Sequence, residues 1–230
     1  MRLDRFLSNL PRFNRQDARQ LLAGGRVRLD GQPCFDGRRE VRIFSRVELD
    51  EEVLQAGKAA RYFMLHKPIG VVSATEHPEH RTVLDLLDEP DTHDLHLAGR
   101  LDLNTSGLLL ITNDGQWSRR VTAPQNKQPK VYLVDTEDPI DPACVEVFAA
   151  GLYFRFEDLV TRPAELEILA PRRARLTLHE GRYHQVKRMF GHFQNKIVDL
   201  HRVSMGALQL DERLCPGQYR ALEADEIGSF

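Results

Sequence analysis

The chain of 230 residues has little cysteine, no long apolar run and almost no net charge. Its three cysteines, Cys34, Cys144 and Cys215, are scattered and form no C-x-x-C pair. An odd, dispersed set argues against a disulfide framework or a thiolate zinc site and fits a reducing compartment. The longest apolar run, Gly107 to Thr112, is strand-sized, whereas a membrane helix needs about 18 apolar residues or more. The N-terminus, Met1-Arg2-Leu3-Asp4-Arg5, puts charge where an export signal needs its apolar stretch. These absences predict a cytoplasmic protein with no membrane partner. Internal repeats and low-complexity tracts are also missing.

What is present is an ordinary globular composition, 41% hydrophobic and 29% charged, on a chain long enough for one large and one small domain at roughly 150 residues per domain. The net charge of −2 hides a segregation. Seven arginines face two aspartates between Met1 and Arg28, and eight Arg/Lys face Glu180 and Asp199 between Arg172 and Arg202, with four histidines interleaved. Between Asp135 and Glu167 nine acids face Arg155 and Arg162. Two basic patches on an otherwise acidic chain point to local polyanion binding. Solvated helix faces are the alternative for either patch taken alone.

The first 59 residues read as a small unit with its linker, and 60–230 as the larger domain. Leu3, Phe6 and Leu7 have helical spacing, ended by Pro11; Arg15 to Leu22 forms a second helix with Asn14 as N-cap. Gly24-Gly25 stops it, Val27 to Leu29 alternates as a strand into an Asp30-Gly31 turn, and Arg46 to Leu49 is a further strand. The polar stretch Asp50 to Ala60 reads as a linker. Arg15 and Arg19, at i and i+4, project from one side of the second helix, with Arg26 and Arg28 just past its end. The pattern Arg2-Leu3-Asp4-x-Phe6-Leu7, Arg15-x-x-Ala18-x-x-Leu21, Gly25-Arg26-Val27-x-Leu29-x-Gly31 resembles the S4 RNA-binding module.

From Arg61 the texture changes to short apolar runs between turn residues. Strands are expected at Tyr62–Leu65, Leu108–Thr112, Val131–Val134, Leu166–Leu169 and Ala174–Leu178, with helices at Thr82–Leu87, Gln116–Val121 (stopping before Pro124) and Val145–Ala149. Many strands with interspersed helices predict an α+β domain with a mixed, largely antiparallel sheet flanked by helices, not repeated βαβ units.

Three stretches can carry chemistry. In Gly99-Arg100-Leu101-Asp102-Leu103-Asn104-Thr105-Ser106-Gly107, one acid sits in a polar loop directly before a strand apolar on both faces, which would hold Asp102 at the rim of a rigid core. A buried, hydrogen-bonded turn is the other reading of Asp102. Asp114, between Asn113 and Gly115, reads as an N-cap. In Glu180-Gly181-Arg182-Tyr183-His184-Gln185-Val186-Lys187-Arg188-Met189, Val186, Met189, Phe190 and Phe193 form a core-facing helical stripe. His184, Lys187, Arg188 and His192 are left toward the edges, where they could keep a carboxylate ionised or bind phosphate. On the strand Lys130-Val131-Tyr132-Leu133-Val134, Tyr132 shares a face with Lys130. His77-Pro78-x-His80 and His93-x-x-His96 lack further ligands at matching spacing, so no metal is expected.

Taken together, Gly99-Arg100-Leu101-Asp102-x-x-Thr105-x-Gly107, Lys67-Pro68-x-Gly70 and Glu180-Gly181-Arg182-Tyr183-His184-Gln185-Val186-Lys187-Arg188-Met189 resemble the RNA pseudouridine synthases, and within them the branch that acts on uridine 516 of 16S ribosomal RNA. The resemblance spans nearly the whole chain, down to Pro216-Gly217-Gln218-Tyr219-Arg220. It implies that Asp102 is the catalytic group of an isomerisation that cuts the N1–C1′ bond of an everted uridine and rejoins the base through C5, without cofactor or metal. It implies a basic partner for Asp102 on the helix after the Gly-Arg motif, usually arginine. The matching position is Lys187, with Arg188 adjacent; lysine brings a point charge in place of a planar fork. Tyr132 matches the family tyrosine that packs against the base, and Arg100 would hold the nucleotide out of its stack. Arg182, His184, Gln185 and Arg188 are expected at the substrate RNA, and Arg15, Arg19, Arg26 and Arg28 at rRNA phosphates. The implied partner is 16S rRNA or a small-subunit assembly intermediate, engaged by a monomer. Two other readings are a noncatalytic rRNA-binding or ribosome-assembly protein, and a glycosidic-bond hydrolase, which would want a second acid near Asp102.

Overall fold

The computed structural model describes residues 1–123 and 128–230, so Pro124, expected to follow a helix end, lies outside the described residues. The chain divides into two compact units, Met1–Ala60 and Arg61–Phe230.

The first unit contains α1 (Leu3–Ser8), α2 (Arg15–Ala23) and the strands β1 (Val27–Leu29), β2 (Gln32–Pro33), β3 (Val47–Leu49) and β4 (Glu52–Gln55), in the sheet order β2-β1-β3-β4. α2 starts with a reciprocal cap. The Asn14 side chain accepts from the N–H groups of Gln16 and Asp17 at 2.7 and 3.0 Å, and the Asp17 carboxylate accepts from the Asn14 N–H at 2.8 Å. Leu3, Leu7, Ala18, Leu22, Val27 and Val47 close the core. The stretch expected as a linker holds β4 instead. Asp50, at φ +54°, turns the chain, and Glu52–Gln55 pairs antiparallel with β3. An edge strand with exposed polar residues has no apolar alternation to betray it.

The second unit contains β5 (Tyr62–Lys67), β6 (His96–Leu97), β7 (Ser106–Thr112), α3 (Gly115–Thr122), β8 (Lys130–Thr136), α4 (Ala143–Ala150), β9 (Tyr153–Phe154), β10 (Leu159–Val160), β11 (Glu165–Ala170), β12 (Arg173–Leu178), α5 (Gln185–His192), β13 (Ile197–Met205), β14 (Leu208–Gln209), β15 (Tyr219–Ala221) and α6 (Ala224–Gly228). Its main sheet runs β11-β12-β8-β13-β7-β5-β15, with β14 on β13 and β6 on β7. β7 and β13 run parallel and the other described neighbours antiparallel, so the sheet is mixed and largely antiparallel, as the strand pattern predicts. α4 and α5 bury Phe148, Val186, Met189 and Phe190 against Val134, Leu176 and Leu200 of the sheet. α3 packs Trp117 and Val121 against Met64, Leu108 and Leu110.

A further expectation needs correction, and one strand was not anticipated. The helix at Thr82–Leu87 is a single 3₁₀ turn, Leu84–Leu86, closed by the Asp85 carboxylate accepting from the Thr82 N–H at 2.7 Å. And β13, central to the sheet, comes from a stretch whose charges Asp199 and Arg202 mask its strand pattern.

Candidate active site

β7 is buried along almost its whole length, and the loop that feeds it is fixed from several sides. Lys67, at the end of β5, is 0% exposed. Its ammonium donates to the main-chain oxygens of Pro68, Asp102 and Thr105 at 3.0, 3.1 and 2.9 Å, with Leu103 at 3.4 Å. Burial pushes Lys67 down to about 8, a shift opposed by the charge of Asp102. Ser73 clasps the other side, its hydroxyl donating to the Leu101 oxygen at 2.7 Å and accepting from the Leu101 N–H at 3.1 Å. Gly107, at φ +109°, lets β7 pass so close to β13 that a Cβ would lie 2.2 Å from the Arg202 oxygen. A loop held at the carbonyls of Leu101, Asp102, Leu103 and Thr105 is a rigid mount for one side chain.

That side chain is Asp102, 29% exposed, with its Oδ2 3.5 Å from Lys187 Nζ and 3.6 Å from His184 Nε2. Both groups come from the start of α5. His184 caps the helix in the left-handed region, at φ 48° and ψ 32°, with its ring stacked on Tyr183 at 3.8 Å between centroids. Glu180 anchors this helix start by accepting from the Arg162 N–H at 2.9 Å, from Arg182 Nε at 2.9 Å and from Gln185 Nε2 at 2.8 Å. Asp102, Lys187, Tyr132, Arg100 and His184 all line one cavity of about 780 Å³. A carboxyl group beside an ammonium at the edge of a partly apolar cavity is placed for attack on, or stabilisation of, an electron-poor carbon.

Not every expected residue sits where the sequence suggests. Arg188, the alternative partner of Asp102, forms a two-pronged pair with Glu157 at 2.6 and 2.7 Å and lies over the Phe154 ring at 3.6 Å. Glu157 is held below the usual carboxylate range by that guanidinium. The β9–β10 hairpin thus draws Arg188 away, and Lys187 is the helix cation next to Asp102. Gln185, expected at the RNA, is buried, and its amide is engaged by Glu180 and the Arg182 N–H. Arg182 and Arg100 line the cavity, Arg182 paired with Glu180. In the first unit Arg15 and Arg19 are exposed. Arg26 is pinned to Asp50, with Nη2 2.6 Å from Oδ2, and Arg28 Nε donates to the Gly31 oxygen at 3.2 Å. Asp114 caps α3, accepting from the Gln116 and Trp117 N–H groups at 2.9 and 3.1 Å.

Three residues escaped assignment from sequence. Lys67 stood in a quoted motif, but nothing in the sequence shows that its ammonium reaches the Asp102 loop. Thr105 and Arg202 also line the cavity; a charge inside a strand reads as surface until its neighbours are known.

Comparison with known proteins places the chain in a family. Residues 61–192 match the RNA pseudouridylate synthase family and residues 1–47 the S4 domain. A protein of Pseudomonas aeruginosa called ribosomal small subunit pseudouridine synthase A is 66% identical over 229 residues, covering 100% of both chains. A protein of the same description from Escherichia coli K12 is 44% identical, covering 100% of this chain and 99% of its own. A crystal structure of a pseudouridylate synthase, 39% identical, superposes with a TM-score of 0.72 over 100% of this chain and 99% of that one. The chain belongs to the RNA pseudouridylate synthase family, with an S4 domain at its front.

Proposed function

We propose that the protein converts uridine 516 of 16S ribosomal RNA to pseudouridine, with Asp102 acting on an everted nucleotide. The observation that carries this reading is the approach of Asp102 Oδ2 to Lys187 Nζ, 3.5 Å, in a cavity that Tyr132 also lines. The small-subunit substrate is supported by the description of the relative that is 66% identical over the full chain. The choice of uridine 516 follows from the resemblance of the motifs to that branch.

In this reading the nucleotide leaves its stack, since no atom of its glycosidic bond can be reached inside a helix. Arg100 holds it out, and the Tyr132 ring packs against the base. Asp102 adds to the ribose or stabilises its electron-poor carbon while N1–C1′ breaks; the base turns and C5–C1′ forms. Lys187 faces the carboxylate with its positive charge as the substrate displaces its water, and His184 flanks it. Product and substrate are isomers, so the step consumes no co-reactant. The S4 unit grips rRNA phosphates through Arg15 and Arg19, with Arg26 and Arg28 as secondary contacts because each already has a partner. The partner is 16S rRNA or an assembling small subunit, met in the cytoplasm by a monomer.

The test is to incubate the protein with 16S rRNA, or a particle containing it, and map by reverse transcription after carbodiimide treatment, which marks pseudouridine. A single new stop at uridine 516 is the expected result. A stop elsewhere overturns the choice of nucleotide. An abasic site makes the protein a hydrolase, and tight binding without either mark makes it an assembly factor.

A further inference from the structure

The cavity holds a second polar group that the chemistry of Asp102 leaves unused. Arg202, in the middle of β13, is 2% exposed. Its Nε donates to the Leu108 oxygen at 2.8 Å, while its Nη2 is sealed from solvent with no hydrogen-bond partner among the described residues. Thr105 Oγ1 is in the same condition. Both residues line the cavity, and Arg202 pairs across the parallel junction with Gly107, two residues after Thr105. On its other side Arg202 pairs with Tyr132 of β8. Lys130, two residues before Tyr132 and on its face, also lines the cavity and donates to the Gln128 oxygen at 2.9 Å. Burial and the nearby Arg202 charge push Lys130 down to about 8.

Two like charges that act on each other, and two buried donors left open, destabilise an empty fold. Such an arrangement is retained where a ligand completes it. The ligand's chemistry follows from position. The RNA backbone has an exposed cation of its own at this cavity, Arg100, and the half-buried Arg182 lines it too, so the buried set is not needed for phosphate. The group on the strand beside Tyr132 meets the edge of a base that packs on that ring, and the acceptors on a uracil edge are its carbonyl oxygens.

We propose that Arg202, with Thr105 and Lys130 lining the same cavity, is the subsite that binds a carbonyl oxygen of the everted uracil and takes up the negative charge of the detached ring. This rests on the isomerase reading. When N1–C1′ breaks with its electron pair on N1, the ring becomes an anion whose charge spreads to its two carbonyl oxygens. A pair of ring electrons then forms C5–C1′, the C5 proton leaves and N1 takes one up, so the atoms balance. A guanidinium donor fixed before the charge appears favours the transition state over the neutral base, as an oxyanion hole does.

The experiment compares wild type, Arg202→Met and Arg202→Lys on small-subunit rRNA fragments transcribed with uridine, 2-thiouridine or 4-thiouridine, each tritiated at C5, under single-turnover conditions. Release of the C5 tritium reports the reaction; circular dichroism and filter binding report fold and RNA affinity. Arg202→Met is expected to bind RNA as wild type does and to react on the order of 100-fold more slowly. Sulfur is the poorer acceptor, so one of the two thio substitutions should slow wild type by about tenfold, and slow Arg202→Met no further. Equal thio penalties in the two proteins, or a wild-type rate in Arg202→Met, overturn the proposal. Should Arg202→Met fail to fold, Arg202→Lys, which keeps charge and most of the volume, is judged by the same two criteria. Asp102→Asn, run alongside, separates the two readings. A wild-type rate there removes Asp102 from the chemistry while the thio comparison still judges Arg202, and loss of reaction there with a wild-type rate in Arg202→Met removes Arg202 alone. No tritium release from wild type overturns both.

Discussion

At Gly107 a single missing methyl group sets the distance between β7 and β13. A Cβ there would meet the Arg202 oxygen at 2.2 Å and the Arg202 nitrogen at 2.6 Å, backbone atoms that cannot swing aside, and the φ of +109° is one that other residues rarely adopt. Gly107→Ala is therefore expected to cost about 3 kcal/mol or more, read by chemical denaturation, and to lower turnover because Thr105 and the Asp102 loop are attached to the displaced strand. A loss under about 1 kcal/mol would mean that the two strands part more easily than their register suggests. Lys67 belongs to the same scale. A buried ammonium is normally a liability, and here its cost is offset by carbonyl oxygens from the loop it fixes.

Among the elements, α5 was legible in detail and β13 was not. Val186, Met189 and Phe190 repeat at helical spacing, and the helix buries those three side chains. In β13 the apolar alternation is broken by Asp199, His201 and Arg202, and the one that matters, Arg202, is a buried charge whose reason lies on neighbouring strands. The β9–β10 hairpin and β4 were missed because they are short and lack the alternation that marks β1 and β3, in which two buried residues flank a more exposed one. The Asp102 loop could be found because its motif and the buried strand after it are contiguous in sequence. The choice between Lys187 and Arg188 could not, because it depends on Glu157, which is distant in sequence. α6 is too short and too exposed to hold itself. Arg220 of β15 ties it down, donating to Glu226 at 2.7 and 2.8 Å while also reaching Asp211 at 2.7 Å. Arg213 with Arg220 holds Asp211, and Arg220 holds Glu226, below their ordinary ranges. Depressed carboxylates stabilise the fold above their unfolded values and lose that contribution as pH falls through the folded ones. Arg220→Met should thus melt below wild type at neutral pH, with the gap closing as pH falls below about 4. A gap independent of pH would assign Arg220 to packing alone.

For the molecule as a whole, the sign and placement of charge matter more than its sum. The chain is nearly neutral, yet its first unit exposes Arg15 and Arg19 on one helix and its second lines a cavity with cations. Replacing Arg15 and Arg19 together by alanine is expected to weaken rRNA binding at low salt and to reduce the slope of log affinity against log salt by about 1 to 2, with melting temperature unchanged. An unchanged slope would take the phosphate contacts away from α2. The central claim concerns Asp102, and the most direct measurement is single-turnover pseudouridine formation by Asp102→Asn on 16S rRNA, with RNA affinity measured on the same preparation. The substitution keeps shape and removes charge, so the account predicts wild-type binding and no detectable product; product formed at the wild-type rate would contradict it.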